Sequence, residues 1–255
     1  MLRGLVQYRE LVWALALKEL RIRYKRSSLG FLWALLNPLL MMLILTAVFS
    51  TVMRIPVKNY AVFLISALLP WTFFSQALTY SAESIVGNGE LLKKVAVPKA
   101  VFPVAAVISN SINFALSLIP LVLILLLLRF PFHLSWLWMP IPFIALVLFT
   151  MGCGFFFAAA NVYYRDVSHI VQLLLSAWFY LSPVIYSLDF VPARFQPFFK
   201  LNPMLYLLNG FRDVIYYGAL PSWHLVAASL LLGGVALLLG FGIFARYQDS
   251  FVFYV

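Results

Sequence analysis

The sequence predicts an all-α polytopic membrane protein. It would have six transmembrane helices, an N-terminal amphipathic interface helix, and short re-entrant outer helices between spans five and six. Three observations carry this. Apolar residues make up 64% of the 255 residues and charged residues 10%, against about 45–50% and about 25% in soluble domains. Six apolar runs approach the ~20 residues that a helix needs to cross the hydrocarbon core. Finally, Lys18, Arg21, Arg23, Lys25 and Arg26 crowd into nine residues, and no ionisable side chain follows from Ser27 to Met53.

The N-terminal segment comes first. Arg3, Gln7, Glu10, Ala14, Lys18, Arg21 and Lys25 recur every three or four residues. On a helix they form one narrow, mainly polar stripe. Leu2, Leu5, Val12, Trp13, Ala16 and Leu20 occupy much of the remainder. Such a helix is expected to lie along the membrane interface rather than cross it. Residues 1–28 are therefore read as interface helix and basic anchor, and 29–255 as the six-span domain.

The six runs are 29–52, 60–80, 101–128, 136–160, 169–186 and 223–245. The fifth is short and the third is long enough to tilt. With the N-terminus inside, the inner segments hold twelve Lys and Arg and the outer segments six. That asymmetry places both termini in the cytoplasm. The basic cluster then anchors span one against anionic headgroups. A net charge of +10 could suit nucleic acid, but apolar runs separate the cations, so membrane lipids are expected and nucleic acid is not. The single cysteine, Cys153, cannot form an internal disulfide.

The spans carry no Asp, Glu, Lys or Arg in their interiors, with Arg54, Glu83 and Arg129 near their ends. His169 and His224 read as interfacial residues. Ion coupling usually needs ionisable groups or broken helices at mid-membrane. No phosphate loop, HExxH, CxxC or GxSxG occurs. The candidates for membrane enzymology, Glu83, Asp166, His169, Asp189 and Asp213, fall on two different sides. No catalytic residue, metal ligand or cofactor is expected in this chain.

Two segments are too apolar for open loops. Inside the inner loop 82–100, GNGELLKKVAVPK opens on glycines and closes on Pro98. Leu91, Leu92, Val95 and Val97 need a cover there, which a cytoplasmic partner seated on a short helix would provide. The outer segment 187–222 is rich in Phe, Leu and Tyr and broken by Pro192, Pro197, Pro203 and Pro221. That pattern suits short helices packed into protein. Aromatic groups such as Trp178-Phe179-Tyr180 and Tyr186 read as an interfacial belt or as a sugar path, because pyranose faces stack on aromatic planes without demanding one sequence. Gly154 with Ala158, and Ala236 with Gly240, have the spacing of close helix packing or a dimer contact.

Three blocks resemble a known family. RYKRSSLGFLWALLNPLLMMLI (23–44), YYRDVSHIVQLLLSAWFYLSPVIY (163–186) and LNPMLYLLNGFRDVIYYG (201–218) are similar, in this order, to ABC-2 type polysaccharide export permeases. Those include O-antigen, teichoic acid and capsule exporters. The resemblance implies a permease that pairs with a second copy of itself and binds two copies of a cytoplasmic ABC ATPase. ATP and Mg would sit in that partner, and the cargo would be a lipid-linked polysaccharide crossing the cytoplasmic (inner) membrane. It further implies an interface helix bearing Arg21, Arg23, Lys25 and Arg26. ATPase coupling falls on Glu90, Leu91, Leu92, Lys93, Lys94 and Val95, with Arg165 and Asp166 as the inner-loop pair. Asn202, Pro203, Arg212 and Asp213 fall in the outer gate, and Pro183 is the span-five proline. The expected translocation path is Trp178, Phe179, Tyr180 and Tyr186. A drug or lipid exporter, a membrane enzyme of lipid-linked sugars, and a passive channel are the alternatives.

Overall fold

The computed structural model describes residues 7–25, 29–30, 32–52, 56–95 and 97–255. Among these residues the regular structure is all helical, with no strand. In chain order the helices are α1 (Arg9–Tyr24), α2 (Leu32–Thr46), α3 (Tyr60–Glu83), α4 (Gly89–Lys94), α5 (Val101–Leu127) and α6 (Pro140–Tyr163). They continue with α7 (Val167–Leu181), α8 (Gln196–Lys200), α9 (Pro203–Arg212), α10 (Trp223–Tyr247) and α11 (Phe251–Tyr254).

Four stretches are long and apolar enough to cross a membrane: Tyr60–Glu83, Val101–Leu127, Leu134–Tyr163 and Trp223–Tyr254. The other two expected spans are shorter helices. The first apolar run forms the 15-residue α2 and continues as a six-residue π-helical stretch, Ala47–Val52. The fifth stops at Leu181, five residues before the apolar run ends. Pro183 is the cause. Its ring disfavours the helical conformation at the preceding residue, and Ser182 is extended (φ −107°, ψ 146°).

α3 is the hub. Of its most apolar window, 78% lies inside the protein, against 17% for Trp223–Tyr254. Phe63, Leu64, Ile65, Phe74 and Leu78 are fully buried in it. Its hydroxyls bond back onto the helix. Thr72 Oγ1 donates to Leu68 O (2.8 Å) and Thr79 Oγ1 to Ser75 O (2.9 Å), so polar side chains are satisfied without water.

α6 and α10 meet along a glycine seam. A Cβ on Gly152 would strike the Ala236 backbone, and one on Gly240 would strike the Gly152 backbone. The Ala236–Gly240 spacing thus serves packing within the chain. Gly154 does likewise, facing the Ser81 side chain.

Two apolar cores result. The larger surrounds α3 and includes Met204, Leu207, Leu208 and Phe211 of α9. The smaller lies at the opposite end. It joins Val12, Leu15 and Ala16 of α1 to Leu92, Val97, Phe102, Phe155, Val162, Phe244 and Phe251. These two ends are called the α9 end and the α1 end below.

Candidate functional site

At the α1 end, Gln7, Glu10, Ala14, Lys18, Arg21 and Lys25 are all exposed, and Val12, Leu15, Ala16 and Leu20 are buried. From Gln7 onward the polar stripe read from the sequence therefore faces outward, and Arg3 lies outside the described residues. Trp13 does not follow its apolar neighbours and is 52% exposed. Arg26 lies outside the described residues. Arg23 departs from the anchor pattern, because its guanidinium turns into the protein. It donates to Asn110 Oδ1 (3.1 Å) and Gln76 Oε1 (3.4 Å) and lies 4.3 Å over the Tyr80 ring. Glu19, one turn earlier, was not singled out by the sequence. Burial pushes its carboxyl up to about 7, against the pull of Arg23 and Lys18, and its Oε2 has no hydrogen-bond partner.

α4 forms where the inner loop demanded it. Its side chains divide. Leu92 is buried in the smaller core together with Val97. The chain itself covers them there, with residues of α1, α5, α6, α10 and α11 in the same core. Glu90, Lys93, Lys94 and Val95 are exposed, and Leu91 is half-buried. The Glu90–Lys94 pair (3.9 Å) is solvent-facing and contributes at most about 0.5 kcal/mol. A Cβ on Gly89 would meet the Val255 side chain, so Val255 packs directly on the start of α4.

Arg165 and Asp166 are both exposed at this same end. Arg165 Nη2 donates to Tyr254 O (2.9 Å), which ties the α6–α7 turn to α11. Asp166 occupies the N-cap of α7 without a side-chain cap bond. The buried Asn161 supplies one instead, its Oδ1 accepting from Ser168 N (3.1 Å). Sequence reasoning missed Asn161, since its partner lies seven residues on, across a turn.

At the α9 end Asn202 is the central tie. Its Oδ1 accepts from Met204 N (3.0 Å), capping α9, and from Trp178 Nε1 (2.9 Å). Its Nδ2 donates to Leu181 O (3.1 Å) and Ser182 Oγ (3.0 Å). Pro203 follows at the first helical position, where a missing N–H costs nothing. Arg212 is 3% exposed. It donates to Val184 O (2.7 Å) and lies 3.9 Å over the Phe63 ring. Among the described residues it has no ion-pair partner, Asp213 included. A guanidinium stays cationic in protein, so carbonyl and ring π contacts compensate the charge here.

Of the aromatic group, Trp178 points inward, edge-on to Trp71, Phe74 and Phe149. Phe179 packs on Trp71. Tyr180 is 65% exposed, and Tyr186 donates from its hydroxyl to Tyr180 O (2.7 Å). Only Val171 and Leu175 of α7 are buried. Its open face joins a groove of about 390 Å³ lined by Asn37, Pro38, Trp71, Ser176, Phe179 and Tyr180.

The profile of the ABC-2 type transporter family matches residues 10–216. The chain is 36% identical over 254 residues to an O-antigen export system permease protein, RfbA, of Myxococcus xanthus, covering 98% of this chain and 97% of that one. It is 32% identical over 236 residues to RfbA of Klebsiella pneumoniae, covering 92% and 90%. The polysialic acid transport protein KpsM of Escherichia coli is 22% identical over 240 residues, covering 93% of each. With a profile match over most of its length and relatives aligned nearly end to end, the chain belongs to the ABC-2 type transporter family.

Proposed function

We propose that this chain is the membrane subunit of an ATP-driven exporter that carries a lipid-linked, O-antigen-like polysaccharide across the cytoplasmic membrane. The near end-to-end 36% identity to an O-antigen export permease carries the reading. All six apolar helices cross, and both termini are cytoplasmic. Two copies of the chain assemble with two copies of an ABC ATPase, which binds ATP and Mg. The exposed side of α4 docks in the ATPase, with Arg165 and Asp166 beside it.

The smaller core explains how a push on α4 would travel. Leu92 is packed with residues of α1, α5, α6, α10 and α11. Close-packed interiors move as bodies rather than deform. ATPase closure therefore displaces α4 together with the α1-end portions of these helices. At the other end, Asn202 and Arg212 clamp the Pro183 turn to α9, so motion of α7 reaches the outer gate. The exposed aromatics of α7 offer replaceable contacts to a sliding polymer, which fixed ion pairs would not.

The test is export. In a strain lacking its own exporter, this chain with its ATPase and a lipid-linked polysaccharide should restore polymer at the cell surface, and an ATPase unable to hydrolyse ATP should abolish it. Restored small-amphiphile efflux with no surface polymer would refute the reading.

A further inference from the structure

The spans contain no cation, yet one reaches them. Arg23 extends from α1 into a cavity of about 370 Å³ between α1, α2, α3 and α5. The cavity wall holds Asn37, Thr72, Gln76, Asn110 and Asn113, and no carboxylate. Asn110 is almost fully buried. Gln76 Oε1 accepts from both Arg23 and Asn113 Nδ2 (3.5 Å). The Arg23 Nε is buried and makes no hydrogen bond. No ion pair involves Arg23 among the described residues. The carboxyl of Glu19, one turn earlier, is pushed up to about 7 by burial, so near pH 7 it compensates the guanidinium only in part.

A buried guanidinium N–H with no partner, at a cavity whose wall carries no carboxylate, suits a phosphoryl anion. Its neighbours suit more than a free anion. Trp33, Phe73 and Phe114 also line the cavity. Asn37, Pro38 and Thr72 are shared with the aromatic groove beside α7. An anion held here would lie beside that groove.

We propose that the Arg23 cavity binds the phosphate or pyrophosphate of a lipid-anchored substrate, and so holds the head of the molecule whose saccharide enters the neighbouring groove. This rests on the export reading above. Arg23 supplies the charge and Asn110 and Gln76 hold its plane.

The test uses the full chain in phosphatidylcholine nanodiscs with farnesyl pyrophosphate, farnesol and inorganic pyrophosphate as probes. Farnesyl pyrophosphate should bind saturably, farnesol far more weakly, and Arg23→Gln should weaken binding at least about tenfold. Arg23→Lys should fall between, and Arg246→Gln, at an exposed cation, should match wild type. Asn110→Asp, which gives Arg23 a carboxylate partner, should also abolish binding while leaving the guanidinium in place. Gel filtration confirms that each variant is folded. Equal binding of farnesol, or no effect of Arg23→Gln and Asn110→Asp, overturns the site. Inorganic pyrophosphate competing at equal concentration overturns the lipid-anchored source. Export by wild type with Arg23-independent binding removes this inference and leaves the exporter reading standing. Arg23-dependent binding without any polysaccharide export does the reverse.

Discussion

Replacing Asn202 with alanine removes four hydrogen bonds in one step. It strips the N-cap from α9, the acceptor from Trp178, and the donor from Leu181 O and Ser182 Oγ. At a net of about 0.5–1 kcal/mol for each bond, three of them partly buried and that to Leu181 O exposed, the loss is about 2–4 kcal/mol, of which the cap accounts for about 1. By the scaling of domains this size, Tm should fall by about 5–15 °C. Thermal unfolding in detergent, read by gel filtration, gives the number. A cycle with Trp178→Phe isolates one bond. Because the two side chains touch, the double variant should cost less than the two singles together, by about 0.5–1.5 kcal/mol. Export should fall as well, since α7 and α9 lose their tie, while ATPase association at the far end stays normal. A Tm loss under about 2 °C, or strict additivity with Trp178→Phe, would refute the reasoning.

Gly240→Leu should yield no monodisperse protein, since any Cβ there meets the Gly152 backbone, whereas Gly234→Ala, in open space, should purify like wild type. Val95→Asp should weaken co-purification of the ATPase with membrane insertion unchanged. Leu92→Asp should instead destabilise the α1 end, at a cost of several kcal/mol or so for an unpaired buried carboxylate. Glu19 makes stability fall with rising pH. Its folded value near 7 exceeds the ordinary 4.5, so the folded state binds the extra proton. Stability is full below pH 4.5 and is lost as pH rises through 7. Glu19→Gln should therefore raise Tm at pH 8 and make no difference at pH 4.5, and an advantage that is equal at both would sink the assignment. Cysteines placed at Pro131 and Lys94, with Cys153 replaced, should react with an impermeant thiol reagent from outside and only from inside, respectively.

The all-helical class, the four long spans and the polar stripe of α1 were legible in sequence because they depend on local quantities. Run length, helical period and composition are properties of neighbours in the chain. The short helix α4 and the helices of 187–222 were legible for a related reason: apolar residues flanked by Gly or Pro leave few other solutions. The end of span five was not seen, although its signal was present, because Pro183 outranks an apolar run that continues past it. Which of Leu91, Leu92, Val95 and Val97 the chain itself covers could not be read, since the core that buries Leu92 and Val97 draws on α1, α10 and α11, far away in the chain. Asn161, Asn202 and Arg212 acquire their roles the same way. Arg23 is the sharpest case. In the sequence it is one of five clustered cations, and Gln76, Asn110 and Asn113 are isolated polar residues in apolar spans. Composition determined that these groups exist and that the membrane would tolerate them only if partnered. The tertiary structure alone decided the partners, because desolvation acts on whatever packing brings together and not on what is adjacent along the chain.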